Sequence, residues 1–145
     1  MRRIFVALMM AAVLTGCREV RVNQQKSGTT PISGGREVTV VRDKRTLESL
    51  GVAAPVDFRK EFAVLLLMGP HKETGWSQIV ESIRANSDRV RIVAFERGPL
   101  DGGEPAPREY RTFTMWIVPN AVYRPGAKVE VVSPSGETIA TTTLR

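Results

Sequence analysis

The sequence predicts an α+β domain that is mainly β, with about six strands in an antiparallel, sandwich-like arrangement and one short helix. Three observations predict this class. Runs of β-branched residues alternate with turn residues, and one continuous apolar run covers residues 62–68. Asp43 is a helix-capping residue, and the apolar residues that follow it are spaced as on one face of a helix. Strands that follow one another through short turns are expected to pair in antiparallel fashion.

The first elements are expected soon after residue 36. Residues 37–42 interleave valines with polar residues, which predicts a strand. Asp43 is expected to cap a short helix over residues 44–50, and Gly51 to end it.

The centre of the chain predicts a buried strand followed by a hairpin. Residues 62–68 are all apolar, so both faces of this strand should be buried, and Gly69-Pro70 should end it. Residues 76–85 fit a helical template by spacing. The turn residues 86–88 and the β-branched run 90–95 nevertheless favour a hairpin.

The last third of the chain predicts a long loop and three more strands. Residues 98–108 hold three glycines and three prolines, which predicts a loop throughout. Residues 110–118 should form a strand with alternating faces, and residues 129–132 and 138–144 a terminal hairpin. One face of the first of these strands carries Phe113, Met115 and Ile117, and the other carries Tyr110, Thr112, Thr114 and Trp116.

The N-terminal residues have the plan of a secretory signal peptide. Arg2 and Arg3 precede an uncharged run over residues 4–14, which is too short for the roughly twenty residues of a spanning helix. Thr15-Gly16 before Cys17 resembles the lipobox of bacterial lipoproteins. This resemblance implies cleavage after residue 16 and acylation of Cys17, which is the single cysteine. The acyl chains, palmitate among them, would anchor the protein to a membrane.

The expected organisation therefore has three parts. Residues 1–16 are the signal peptide, residues 17–35 are the lipidated N-terminus and a flexible tether rich in Gln, Ser, Thr and Gly, and residues 36–145 are one mainly-β domain. Arg18 follows the cysteine in place of the aspartate associated with inner-membrane retention. The expected location is therefore the cell envelope, with the outer membrane favoured and the domain facing the periplasm or the surface.

The chain is basic, but its charge pattern does not predict nucleic-acid binding. Loss of residues 1–16 removes two arginines and lowers the formal charge from +6 to +4. This balance suits anionic headgroups or an acidic partner, although basic residues that alternate with apolar ones are also typical of solvated strand faces. No basic stripe interleaved with aromatic residues is visible, so nucleic acid is not an expected partner.

The sequence offers few residues for catalysis or metal binding. His71 is the single histidine, and its place after Gly69-Pro70 predicts a solvent-exposed turn without a second metal ligand. Four carboxylates around the long loop are interpreted as contributing to solubility: Glu96, Asp101, Glu104 and Glu109. We therefore expect neither an enzyme nor a metal or cofactor.

The candidate binding residues lie in two glycine-containing segments. Trp76 follows Thr74 and Gly75 at the start of a strand, where a large aromatic side chain can face outward and anchor an interface. Burial of Trp76 in the core is the equally open alternative. Gly102 and Gly103 complete the candidate site.

Several of these segments together resemble the C-terminal domain of PrcB-like proteins over roughly residues 37–120. The likeness is carried by Val56-Asp57-Phe58, by the apolar strand 62–68 ending in Gly69, by Lys72-Glu73-Thr74-Gly75-Trp76, and by the strand 110–118. It implies a noncatalytic accessory lipoprotein that binds protein and stabilises or assembles an envelope protease complex. The expected partner is thus an envelope protein of the protease class.

Two alternatives remain at this point. Thr74-Gly75-Trp76, Gly102-Gly103 and Tyr123-Arg124-Pro125 come in the order of the three loops of chagasin-type protease inhibitors. That likeness implies loops that converge at one end of an immunoglobulin-like sandwich and plug a protease cleft. The other alternative is an envelope-glycan or small-ligand binding protein that uses the loop 98–108.

Overall fold

Strands make up most of the part of the chain that the computed structural model describes, which comprises residues 24–85, 88–122 and 124–145. The described elements are β1 (Gln24–Thr30), β2 (Glu37–Val41), α1 (Lys44–Ser49), β3 (Glu61–Glu73), β4 (Ser77–Ala85), β5 (Arg89–Arg97), β6 (Pro105–Pro119), a 3-10 turn (Asn120–Val122), β7 (Lys128–Val132) and β8 (Thr138–Thr143). The mainly-β class with one short α-helix is confirmed. The expected number of about six strands is wrong, because the described residues form eight.

The strands form two sheets of four. Sheet 1 has the order β1-β6-β3-β2, and all its neighbours are antiparallel. Sheet 2 has the order β4-β5-β7-β8, in which β5 and β7 are parallel and the other pairs antiparallel. The parallel pair arises because the chain leaves sheet 2 after β5, runs through β6 in sheet 1 and then returns.

The inner faces of the two sheets share one apolar cluster. Alternate residues of β3 contribute Phe62, Val64, Leu66 and Met68, and β6 contributes Trp116 and Val118. Sheet 2 supplies Ile92, Ala94, Val129 and Val131. Because side chains alternate between the faces of a strand, the residues between these points lie on the outer face of sheet 1.

A second apolar cluster covers that outer face of sheet 1. Ala63, Leu65 and Leu67 of β3 pack there with Phe113 and Met115 of β6, beneath Leu47 of α1 and the segment that follows the helix. Every residue of 62–68 is therefore buried, at 0 to 3 % exposure. The predictions of a strand buried on both faces and of the alternation along residues 110–118 are confirmed.

Helix α1 begins as the sequence predicts. The Asp43 carboxylate accepts a hydrogen bond from the backbone N–H of Thr46 at 2.8 Å, which satisfies a donor that the first helical turn leaves without a partner. That hydrogen bond, and a second from the Thr46 hydroxyl, hold the pKa of Asp43 below its ordinary value of 3.8. The helix ends before Gly51, which has φ +71°.

The domain begins earlier than the expected residue 36. Residues 24–30, which the sequence assigned to the flexible tether, form β1 and pair with β6 from Ile117 to Arg111. The segment after β1 is also held, because the buried Arg111 guanidinium donates to the carbonyl oxygens of Ile32 at 3.0 Å and Gly35 at 3.2 Å. The low apolar content of β1 concealed it, since an edge strand needs little apolar surface.

Two strands are longer than expected. Gly69-Pro70, with a cis peptide bond, does not end β3, which continues to Glu73. Likewise β6 already begins at Pro105, inside the predicted loop 98–108. These two extensions pair with each other at His71 and Tyr110 and at Glu73 and Pro105, so each stabilises the other as a strand. Sequence patterns, being local, do not register such pairing.

The two predicted hairpins are confirmed. β4 pairs with β5, so the segment with helical spacing is a strand, and β7 pairs with β8. Among the described residues, no helix is long and apolar enough to cross a membrane. Cys17, the signal peptide at residues 1–16 and the first part of the expected tether lie outside the described residues.

Candidate functional site

The extension of β3 carries His71 into the space between the two sheets. At Gly69, a Cβ atom would lie 2.8 Å from Cγ of Arg111 and 3.1 Å from the carbonyl oxygen of Tyr110, so only glycine allows this approach of β3 to β6. The register then shifts before His71 pairs with Tyr110. Such a bulge turns a strand and redirects its side chains.

His71 forms a buried contact with Glu96 of β5. Nε2 of the imidazole lies 2.5 Å from Oε2 of Glu96, and the two side chains are 10 % and 11 % exposed. The hydroxyl of Thr112 donates to the same carboxylate oxygen at 2.8 Å. The prediction of a solvent-exposed histidine is wrong, because the strand does not end at Gly69-Pro70 and the side chain turns into the protein.

Trp76 packs against the other side of His71. The imidazole and indole rings are stacked, with centroids 4.5 Å apart and planes 13° apart, and the Tyr110 ring lies 5.6 Å from the imidazole. The Tyr110 hydroxyl donates to the carbonyl oxygen of Glu73 at 2.6 Å. Trp76 is half-buried, so it lies between the exposed and core positions that the sequence left open.

Both ends of the long loop are held against the turn before Trp76. The backbone N–H of Thr74 donates to the carbonyl oxygen of Glu104 at 2.8 Å, and the N–H of Glu104 donates to the Thr74 hydroxyl at 3.3 Å. Gly75 has φ +95°, and a Cβ there would lie 2.8 Å from Cβ of Pro99. At Gly103 a Cβ would lie 2.3 Å from the Thr74 carbonyl oxygen.

The structure therefore brings four of the five candidate binding residues together. Thr74, Gly75, Trp76 and Gly103 lie in one contact region, whereas a Cβ at Gly102 would meet nothing within 4 Å. Gly102 is exposed and has φ +68°, so its part is to allow the turn at the tip of the loop.

A groove opens beside the Trp76 ring. Its volume is about 350 Å³, and its lining is mainly apolar. Three segments line the groove. They are the end of β1 with Pro31 (Thr29, Thr30, Pro31), the turn before β4 (Thr74, Gly75, Trp76) and the start of β6 (Ala106, Pro107, Arg108, Tyr110). Sequence reasoning missed the contributions of β1 and β6, because both segments were assigned to irregular structure.

Glu96 was also missed as a partner of His71, although the sequence holds a signal for it. Ile92 and Ala94 point into the core from β5, and with a period of two residues Glu96 continues the same inward face. A carboxylate at an inward position requires a partner. His71 is the sequence's single histidine and meets it from the other sheet.

The motif Val56-Asp57-Phe58 has a packing role on another part of the domain. Val56 and Phe58 pack against the cluster on the outer face of sheet 1. Asp57 accepts from Nε of Arg59 at 3.1 Å, and this contact lowers the pKa of Asp57 and raises that of Arg59. The motif therefore helps to cover sheet 1 and lies apart from the groove.

Of the segments in the chagasin likeness, residues 124–126 lie away from the other two. Trp76 precedes Ser77, which pairs with Arg97 at one end of β5, whereas Lys128 pairs with Arg89 at the other. The segment 124–126 leads into Lys128, so about 25 Å of strand separates it from the turn before β4. The expectation that the loops converge at one end is therefore wrong for this segment.

The chemistry of the site is that of a packed cluster of aromatic rings and hydrogen-bonded polar groups. Among the described residues no group of three or more His, Cys, Asp and Glu side chains is placed to hold a metal ion. The Glu96 carboxylate accepts from Thr112 and contacts His71, and Gln78 donates to the Thr112 hydroxyl at 3.2 Å. These contacts fix the orientation of the imidazole, which in turn supports the indole at the groove.

Of the other carboxylates around the loop, Asp101 and Glu104 are exposed, and Glu109 accepts a hydrogen bond from the Ser33 hydroxyl.

No family model matches the chain, and neither a curated protein nor a solved structure matches it.

Proposed function

We propose that this protein is a noncatalytic binding module that holds an extended, apolar segment of an envelope protein in the groove beside Trp76. The observation that carries this proposal is the support of the indole. One side of Trp76 rests on His71, which Glu96 fixes from the second sheet, and the groove opens beside the ring. An aromatic side chain held in this way loses little freedom on binding and suits an interface anchor.

The composition of the groove favours a peptide segment as the ligand. Trp76, Tyr110, Pro31 and Pro107 offer apolar surface, and grooves lined with aromatic residues accommodate extended peptides. The likeness to PrcB-like domains supports a subunit of an envelope protease complex as the partner.

The attachment of this module to a membrane is part of the proposal. Arg2, Arg3 and the apolar run before Thr15-Gly16-Cys17 support a signal peptide and acylation of Cys17, and Arg18 favours the outer membrane. In cells that are given labelled fatty acid, wild type should incorporate the label and Cys17→Ser should not. Label on the Cys17→Ser variant would contradict the anchor.

A photocrosslinking experiment tests the groove directly. Two versions of the tagged full chain each carry one photoreactive residue. In one version it is at position 108 in the groove, and in the other it is at position 124, at the opposite end of sheet 2. Crosslinks to an envelope protein are expected from position 108 only, and they should fall at least about tenfold with Trp76→Ala. Pro125→Ala, far from the groove, is the matched control and should leave the crosslinks unchanged.

Two outcomes would replace the proposal. Crosslinks that persist in Trp76→Ala would show that the partner binds elsewhere. Glycan binding by the purified chain, lost with Trp76→Ala and without any protein crosslink, would assign the groove to a small ligand. Inhibition of a papain-like protease is not expected, because the segment 124–126 is remote from the turn before β4.

A further inference from the structure

The chain enters the domain at the end opposite the Trp76 groove. Across sheet 1, Gln24 pairs with Ile117, Ile117 with Ala63, and Ala63 with Val41. This row lies at the start of β3, whereas Trp76 follows the far end of that strand. The residues that precede Gln24 in the sequence therefore join the domain at the end marked by Val41.

Cationic side chains gather at this same end. On the outer face of sheet 2, Arg84 pairs with Arg91, Arg91 with Glu130, and Arg89 with Lys128, so these side chains lie on one surface. Arg42 and Arg145 stand at the adjacent seam between β2 and β8. We call the following six residues the basic end: Arg42, Arg84, Arg89, Arg91, Lys128 and Arg145.

A cleft runs into the basic end between the edge strands of the two sheets. Its volume is about 750 Å³, and it is lined by Arg42, Lys128 and Arg145 together with threonines of β8, Thr141 and Thr143 among them. No Asp or Glu lines this cleft. Cations beside hydroxyl donors are the groups that bind phosphate oxygens.

The carboxylates near the basic end do not neutralise it. Glu130 lies beneath Arg89 at 3.4 Å, Lys128 at 3.8 Å and Arg91 at 3.9 Å, and its side chain is 12 % exposed whereas theirs are 51 to 53 % exposed. Asp43, Glu81 and Asp88 are the other acids beside these residues, so six basic side chains stand against four acidic ones. On the neighbouring part of sheet 1, Asp57 and Glu61 offset Arg59 and Lys60.

The groove end of the domain lacks this excess of positive charge. Acidic and basic side chains are nearly balanced there: Glu37, Glu73, Glu96, Asp101, Glu104 and Glu109 lie with Arg36, Lys72, Arg97, Arg108 and Arg111. The domain is thus electrically polar along its strands. A negatively charged surface would orient it with the basic end inward and the groove outward.

We propose that the basic end binds anionic phospholipid headgroups and so holds the Trp76 groove away from the membrane. Seven residue steps separate Cys17 from Gln24, which limits the distance between them to about 25 Å. An acylated Cys17 would therefore keep the basic end close to the headgroups, where each cation adds to the attraction. Headgroup binding goes beyond the proposed function, and the basic end itself does not depend on the anchor.

Vesicle cosedimentation of the chain 17–145 with Cys17→Ser tests this proposal without acyl chains. This chain keeps every strand of both sheets. Binding to phosphatidylcholine vesicles that contain phosphatidylglycerol should be about 100-fold tighter than to phosphatidylcholine alone and should weaken with salt. The triple variant Arg84→Gln, Arg91→Gln, Lys128→Gln should lose about fivefold per cation, hence about 100-fold in all.

A matched control separates a localised site from overall charge. Lys72→Gln, Arg97→Gln, Arg108→Gln removes the same charge from the groove end and should change vesicle binding by less than about threefold. Equal losses in the two triple variants, or equal binding to both kinds of vesicle, would overturn the proposal. If the first triple variant is not folded by circular dichroism, Arg84→Gln with Arg145→Gln replaces it, with an expected loss of about 25-fold.

One further arm distinguishes another source of the same chemistry. Displacement from vesicles by millimolar inorganic phosphate would assign the basic end to a soluble phosphate and overturn the membrane role. Failure of the vesicle experiment would leave the groove proposal standing, since that proposal is tested by crosslinks at position 108.

Discussion

The imidazole of His71 lies parallel to the indole of Trp76, with ring centroids 4.5 Å apart, and so joins the sheet 1 strand β3 to the turn that starts β4. The same imidazole contacts Glu96 of sheet 2 at 2.5 Å. Through these two contacts the buried His71–Glu96 pair determines the position of the Trp76 ring that forms one wall of the groove. Changes in the cluster should therefore affect both stability and binding.

Replacement of His71 should destabilise the domain. In His71→Phe a ring remains beside Trp76, but Glu96 loses its contact while staying buried, which should lower the free energy of unfolding by about 2 kcal/mol. Adding Glu96→Gln should recover part of this loss, since an uncharged amide is less costly to bury. Urea unfolding of the two single variants and the double variant measures the coupling, and additive effects would contradict it.

Gly103 and Gly102 form a matched pair for testing how the loop packs against the turn before Trp76. Gly103→Ala places a Cβ 2.3 Å from the Thr74 carbonyl oxygen, so we expect a loss of about 3 kcal/mol and weaker crosslinking at position 108. Gly102→Ala meets no atom within 4 Å and should cost only about 1 kcal/mol for its positive φ. Equal losses of stability for the two variants in thermal unfolding would contradict the close packing of Gly103 against Thr74.

Both faces of β3 should contribute to stability. Leu66 faces the cluster between the sheets and Leu67 the cluster beneath α1, and both are 0 % exposed. Leu66→Ala and Leu67→Ala should each lower the free energy of unfolding by about 3 kcal/mol because each leaves a cavity. Leu100→Ala is the control, since Leu100 is 94 % exposed and should have almost no effect. A neutral Leu67→Ala would contradict the covered outer face.

Removal of β1 should damage the fold, although the sequence places the residues of β1 in a tether. A chain that starts at Arg36 leaves the β1-facing edge of β6 without a partner along seven residues and loses the hydrogen bond from the buried Thr30 hydroxyl to the carbonyl oxygen of Leu50. We expect it to unfold about 10 °C lower or to aggregate through the open edge. A chain that starts at Gln24 should be as stable as one that starts at Cys17. Equal melting temperatures would contradict the role of β1.

The helix cap at Asp43 predicts a dependence of stability on pH. Because the Thr46 N–H lowers the pKa of Asp43 in the folded state, the carboxylate stabilises the fold above the unfolded pKa, near 3.8, and this contribution is lost as pH falls through the lower folded value. Asp43→Asn keeps a side-chain acceptor for the cap. The difference in melting temperature between wild type and Asp43→Asn should shrink between about pH 4 and pH 2, and a constant difference would contradict the prediction.

Local patterns were enough to find the elements whose burial is set by their own residues. The all-apolar run in β3 predicts burial on both faces, Asp43 predicts the start of α1, and the turn residues after Ala85 identify the β4–β5 hairpin in spite of helical spacing. In each case a few neighbouring residues carry the physical reason. The class of the fold follows from them.

Tertiary structure decided the elements whose stability comes from distant partners. β1 is polar and exists because β6 offers it an edge, and the ends of β3 and β6 are strands because they pair with each other across Gly69-Pro70. The same pairing moved His71 from an expected exposed turn to a buried contact with Glu96. The groove beside Trp76 arises from three segments remote in sequence, so no local pattern could predict it.

The sequence by itself determined a mainly-β chain with a helix capped by Asp43, a strand buried on both faces, and the motif at Cys17 that predicts an anchor. Only the tertiary structure decided that Trp76 stands half-buried on His71 and that the basic end lies opposite the groove. The physical reason is the range of the forces. Propensity, capping and turn preference act within a few residues, whereas pairing register and charge distribution depend on where the whole chain places each strand.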